Sequence, residues 1–383
     1  MHYVNFINQT AGSFSQREVE KISRIMSAHP HNLQGKTVIT SSISALKEEL
    51  KNHSLPDILG LGGGDGTGSR TLTEVSKVWG EIPPYLALFA MGTINNIALP
   101  YGLSDGLADK VRKITGKGKT KSLSLAEYIS DCAEKGRLFD TKQLSLLDIN
   151  GKERKGFNIG FGLIPKLLWF YYGKTMEQYR RLEIKIENTK NQTPEAYQKI
   201  LENIVAERNG LEDIIDRVTV GNEDMMKKTG AIYALATTGS TFLNAFNPFS
   251  EQGTFLTEPI AAAFSFDRKE RTFPKQPTAI YIATYEQANL GIKGFWPKPA
   301  PEARSQPGKM QVVVSWATPL QLALQLPKLF RGEHLENIKY IHAEEVRVEA
   351  DRPVIGHVDA DYIFGRSFTL RYGQELNIIT PFA

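Results

Sequence analysis

Residues 59–75 read LGLGGGDGTGSRTLTEV: a short apolar run, then glycines around an aspartate and a threonine, then a helix-forming stretch. Glycine at this density weakens a chain unless something requires bare backbone. Successive glycines let backbone N–H groups converge on one centre, and a polyanion can approach them without meeting Cβ atoms. Asp65 within the loop repels a bare phosphate but suits one that arrives with a divalent cation, so a Mg²⁺–nucleotide is the natural ligand. No Gly-Lys-Ser/Thr follows Gly66, which excludes a Walker A loop. The blander alternative is a turn capped by Asp65 or Thr67.

Working outward, strand and helix signals alternate. Strands are expected at 2–8, 36–40, 56–61 and 85–90. Amphipathic helices are expected at 15–28, at 42–53 behind Ser41 or Ser42 as cap, and at 71–79. Such alternation implies a mostly parallel sheet covered on both faces, with ligands at the carboxyl ends of its strands. The glycine loop falls at such an end.

After about Leu138 the texture changes. Strands at 138–150 and 153–161 flank an Asn150-Gly151 turn, a hairpin signal. Further strands are expected at 259–267, 278–286, 309–316, 339–350 and 367–372. The chain thus divides into an α/β domain, residues 1–137, and a mainly antiparallel β domain, residues 138–383. A charged insertion, about 174–228, interrupts the second. Its apolar residues recur at helical spacing from Tyr197 to Val218 behind a Thr193-Pro194-Glu195 start, a helix packed on the domain or a docking or membrane-facing hairpin.

With 383 residues the chain is long enough for two domains. Its 41% hydrophobic and 23% charged content are those of an ordinary globular protein, and a net charge of +4 without a basic tract argues against nucleic-acid binding. A weakly basic face still suits an anionic membrane. The single cysteine, Cys132, points to a reducing compartment. The first residues lack the pattern of a signal peptide, and the greasiest stretch, 163–172, is too short to span a bilayer and contains Lys166. A cytoplasmic, transiently membrane-associated protein is expected.

Two more polar loops close strands of the same sheet. Asn8, Ala11 and Gly12 follow the first strand, and Gly92, Thr93, Asn95 and Ala98 follow the fourth. Together with Gly63–Thr67 they resemble, in order and spacing, the motifs of the diacylglycerol kinase catalytic family, which includes sphingosine and ceramide kinases. The family pattern is N-P-x-[AS]-G, G-G-D-G-T and P-x-G-T-x-N; here Gln9 replaces the proline, Met91 precedes Gly92, and Asn96 stands where many members have Asp. Pro307 stands at another position that is Asp in bacterial members, so the structural metal network of those members is not carried over. The stretch 356–365, GHVDADYIFG, resembles the family's D-G-E motif, with Ala360 for Gly and Asp361 for Glu.

The resemblance implies a lipid kinase that uses ATP and Mg²⁺. Asn8, Gly12, Thr40, Gly63, Gly64, Gly66, Thr67, Gly92, Thr93 and Asn95 would line the nucleotide site. Asp65 would act through Mg²⁺, Asp359 would be the base with Asp361 holding it or the metal, and Asp65 is a rival base. As alternate residues of a strand, the two later acids would share a face. The acceptor would be a membrane lipid of diacylglycerol or sphingoid/ceramide type, reached at a membrane surface; Phe295 and Trp296 between lysines suit that interface. The rivals are a nucleotide- or lipid-binding protein with impaired catalysis, and an NAD kinase-like enzyme suggested by ATTGSTFL at 236–243. A homodimer stays open.

Overall fold

The computed structural model describes residues 1–188, 251–284, 306–318, 321, 324 and 336–381, save 12–13, 30, 93–96, 99–100, 105–117, 152, 172–175, 271–272, 274 and 360. The chain opens as alternating strands and helices: β1 (His2–Asn8), α1 (Gln16–Met26), β2 (Gln34–Thr40), α2 (Ile43–Lys51), β3 (Ile58–Gly63), α3 (Asp65–Trp79) and β4 (Tyr85–Ala90). Helix α4 (Lys121–Lys135), for which no sequence signal was read, packs against α1. The expected strands and helices are all present in this half. Ser15, Ser42 and Thr120 cap α1, α2 and α4, each side chain accepting a first-turn N–H.

The four strands are parallel in the order β2-β1-β3-β4. The order reverses between β1 and β3, so their carboxyl ends frame a crevice of the kind that binds ligands in open α/β sheets. Apolar side chains buried on both faces, among them Tyr3, Phe6, Ile7, Ile58, Leu59, Leu86 and Phe89, make these strands near-continuous hydrophobic runs.

The second half is mainly antiparallel. Its elements are β5 (Thr141–Ile149), β6 (Arg154–Gly156), β7 (Asn158–Gly162), helices α5 (Leu163–Tyr171), α6 (Met176–Asn188) and α7 (Glu251–Leu256), then β8 (Ala263–Phe266), β9 (Lys269–Glu270), β10 (Ala279–Ala283), β11 (Met310–Ser315), β12 (Ile338–Ala343), β13 (Glu345–Val358) and β14 (Asp361–Ile379). Asn150 and Gly151 both adopt left-handed φ, 50° and 76°, as the hairpin signal required. Two expected strands are each two: 153–161 breaks at Phe157, and 339–350 at Glu344.

One sheet joins the halves, in the order β12-β11-β10-β7-β13-β14-β4-β3-β1-β2. The far end of β14 lies parallel to β4, Asn377 opposite Tyr85 and Ile378 opposite Leu86. Leu376, Ile378 and Ile379 therefore belong to the same core as β1 and β3.

A separate apolar cluster joins α5, α6 and α7 to the β13–β14 hairpin through Trp169, Tyr179, Phe255, Leu256 and Ile355. Lys166, the charge inside the greasy stretch, is buried there; its ammonium donates to the Phe255 carbonyl at 2.8 Å and to Glu258 at 3.1 Å. Those partners are what permit its burial. The helix expected across 193–218 and the segment 236–243 lie outside the described residues, as do Phe295 and Trp296. Among the described residues no helix is long and apolar enough to cross a membrane.

Candidate active site

The glycine run is not a loop. β3 continues through Gly63 and α3 begins at Asp65, six residues before the expected helix start, so a single residue, Gly64, turns strand into helix. Gly64 is extended at φ −95° and supplies no side-chain cap. Asp65 in the first turn suits the positive end of the helix dipole, and the first-turn N–H groups of a helix have no intrahelical partners. That is the standard geometry for holding a phosphate.

Bare backbone is required here partly by packing. A Cβ on Gly63 would come within 2.6 Å of the Thr67 Cβ, and one on Gly64 within 3.2 Å of the Gly92 Cα. The ends of β3 and β4 are also joined by Met91 N–H donating to the Gly63 carbonyl at 3.0 Å. Gly92 is thereby seated beside the start of α3.

Asn8 ends β1 and reaches across the crevice: its Nδ2 donates to Thr67 Oγ1 at 3.1 Å. Its Oδ1 accepts from the backbone and hydroxyl of Thr10, at 3.0 and 2.8 Å. Thr40, buried at the end of β2, sits opposite Asn8 in register and accepts Gln9 N–H at 2.9 Å. Asn8, Thr40, Gly63, Gly64, Gly66, Thr67 and Gly92 thus gather at the carboxyl ends of four adjacent strands. Gly12, Thr93 and Asn95 lie outside the described residues, with Asn96 and Ala360.

Asp65 is 8% exposed, and its Oδ1 accepts Ile97 N–H at 3.0 Å. Asp359 comes to it from the second half. The expectation that Asp359 and Asp361 alternate along one strand needs correction: Val358 pairs with Asp361, and Asp359 leaves the ladder just after Val358, at φ 56°. Its carboxylate is 7% exposed and is gripped by donors from β6–β7. Phe157 N–H lies 3.3 and 3.2 Å from its two oxygens, and Asn158 donates to Oδ1 from its backbone at 3.2 Å and its side chain at 2.9 Å. Burial, then the charge of Asp65, push this carboxyl up to about 8, against the opposing pull of Arg154, Ser69 and Phe157 N–H. A buried carboxyl perturbed by desolvation and by a neighbouring acid is a signature of a working site.

Asp361 has a different environment. Arg70, from α3, grips it with both arms, Nη2 to Oδ1 at 2.7 Å and Nε to Oδ2 at 2.5 Å. Arg154 Nη2 donates to Oδ2 at 2.6 Å and to Ser69 Oγ at 3.3 Å. Burial alone would raise this carboxyl, but the charges of Arg70 and Arg154 outweigh it and hold it below the ordinary value. Its carboxylate is thus held by two arginines.

Arg70, Arg154, Ser69 and Asn158 were not singled out from sequence. Ser69 carried a usable signal, since it stands four residues beyond Asp65 on the same helical face. Asn158 lies in GFNIGFG, whose resemblance to a family segment was visible. The arginines carried none. Pro307, at the lost acidic position, sits in a turn before β11 closed by Lys309 N–H to the Gln306 carbonyl at 3.0 Å.

Comparison with known proteins follows the same lines. Residues 2–128 match the model of the diacylglycerol kinase catalytic domain. No curated protein matches the chain. The fold is similar to a diacylglycerol kinase from Bacillus anthracis str. Sterne, at 13% identity and a TM-score of 0.54, covering 99% of this chain and 96% of that one. Two further Bacillus anthracis str. Sterne structures described under the same enzyme name align at 13% and 14% identity, with TM-scores of 0.58 and 0.56. They cover 99% of this chain and 97% and 96% of theirs. At these identities the structural likeness shows the fold alone, and residues 2–128 are similar to the diacylglycerol kinase catalytic domain.

Proposed function

From the premise of a diacylglycerol kinase catalytic domain over residues 2–128, we propose that the chain is an ATP-dependent lipid kinase, passing the γ-phosphate to a lipid hydroxyl of diacylglycerol or sphingoid/ceramide type. The observation that carries this reading is the meeting of Asp359 with Asp65 at the start of α3, a proton acceptor beside a phosphate-binding helix terminus.

The residues present suit a Mg²⁺–nucleotide. The pinch between Gly64 and Gly92, which a Cβ would fill, leaves backbone open to a phosphate chain. Among the described residues no cluster of three or more His, Cys, Asp or Glu side chains forms a cage of its own. Asp65 is a hard oxygen ligand, and Mg²⁺ is typically bound by one or two carboxylates together with substrate phosphates. When bound, Mg²⁺ would neutralise charge on the phosphates.

The chain's own residues then have these tasks. First-turn N–H groups of α3 and the Thr67 hydroxyl, itself held by Asn8, bind and orient the phosphates. Asp359 in its ionised form takes the proton of the lipid hydroxyl. That oxygen forms its bond to the γ-phosphorus, and the bond from phosphorus to the β,γ-bridging oxygen breaks with its electron pair leaving on ADP. The products are a phospholipid-type monoester, ADP and a protonated Asp359.

The lipid would be met at a membrane surface, with the protein cytoplasmic and docking transiently. The test is incubation with γ-labelled ATP, Mg²⁺ and mixed micelles of diacylglycerol, sphingosine and ceramide, beside Asp65→Ala. One lipid labelled by the wild type alone identifies the acceptor class. ATP binding without any labelled lipid would favour a binding protein with impaired catalysis, a reading motivated by Pro307, Asn96 and Ala360.

A further inference from the structure

The Arg70–Asp361–Arg154 cluster lies where the two halves touch. Arg70 stands five residues beyond Asp65 on α3, and Asp361 two residues beyond Asp359 on the hairpin. A bidentate guanidinium–carboxylate pair fixes direction as well as distance. Arg154 adds a second tie, bridging Asp361 to Ser69 on the same stretch of α3. Thr73 extends the seam, accepting Lys155 N–H from β6 at 2.9 Å.

Resting on the kinase reading above, we infer that Asp361 is a positioning residue. It takes neither proton nor metal; it gathers Arg70 and Arg154 so that the turn carrying Asp359 is held against the helix start carrying Asp65. With two cations on one carboxylate, Asp361 is already neutralised and is a poor ligand for a further cation. Breaking the cluster leaves guanidinium groups partly buried without their counter-ion, which loosens both segments at once.

The test uses the full chain as wild type, Asp361→Asn, Asp361→Glu and Arg70→Lys; the last keeps the charge and loses the fork, and serves if Asp361→Asn fails to fold. Amide hydrogen exchange is read over 64–71 and 356–363, with ATP affinity, Mn²⁺ affinity and turnover on lipid micelles measured alongside. Expected for Asp361→Asn are faster exchange in both segments together, ATP and Mn²⁺ affinities within about threefold of wild type, and turnover lower by about 10²-fold. Asp361→Glu restores most of the turnover. Faster exchange confined to the hairpin, weaker Mn²⁺ binding, or unchanged turnover would each overturn the inference. A wild type that labels no lipid defeats the kinase reading instead, and the exchange data still decide the clamp.

Discussion

Asp359 combines a left-handed backbone, near-complete burial and a carboxyl pushed up to about 8. On the proposed reading Asp359 is the base and must be ionised, so kcat/KM is expected to rise with pH along a limb centred at about 8. Asp359→Asn flattens that limb and lowers turnover by about 10²–10⁴-fold. Stability follows with the opposite sign from an ordinary ion-paired carboxylate. The folded value lies above the ordinary 3.8, so between the two the native state holds more proton than the unfolded chain, and stability falls as pH rises toward about 8. Thermal melts should therefore show Asp359→Asn more stable than wild type at about pH 9, with the gap closing toward about pH 5. The two acids were legible as candidates from their motif; their different surroundings were not. These depend on the left-handed backbone of Asp359 and on arginines brought from 291 and 207 residues away.

The strand-to-helix junction at Gly63–Asp65 is the element on which the site turns. Its motif was plain, but the early start of α3 was hidden, because glycines at 66 and 68 lower helix propensity and the packing that offsets them is tertiary. Gly63→Ala presses its methyl on Thr67, at a cost of about 1–3 kcal/mol in denaturant unfolding and with weaker nucleotide binding. Asn8→Ala removes the tie to Thr67 across the crevice. About 1 kcal/mol of stability should go with it, and ATP affinity should fall, as calorimetry would measure. The alternation of β1–β4 with α1–α3 was readable because parallel strands buried on both faces are apolar runs between amphipathic helices. Helix α4 was missed; it packs against α1 and β4.

On the scale of the whole molecule, the last strand closes the first half. β14 leaves the antiparallel sheet to lie beside β4, and a long-range return of this kind leaves no mark in local sequence. Division of the chain near residue 137 describes the texture of the sequence, while the hydrophobic core runs through both parts. The halves should therefore unfold in one transition by calorimetry, and Ile378→Ala should lower the stability of both together, by about 2–5 kcal/mol. Two separate transitions, only one of them shifted, would show that the shared core does not couple them.

The most direct measurement is transfer of labelled γ-phosphate from ATP to lipid micelles by wild type, Asp65→Ala and Asp359→Asn, with folding of each checked by thermal melt. Wild type should place the label in the lipid phase, and both variants should lose it by about 10²-fold or more while still folded. Label transferred undiminished by either variant, or no labelled lipid from wild type, would contradict the pairing of Asp65 and Asp359 as the phosphoryl-transfer centre.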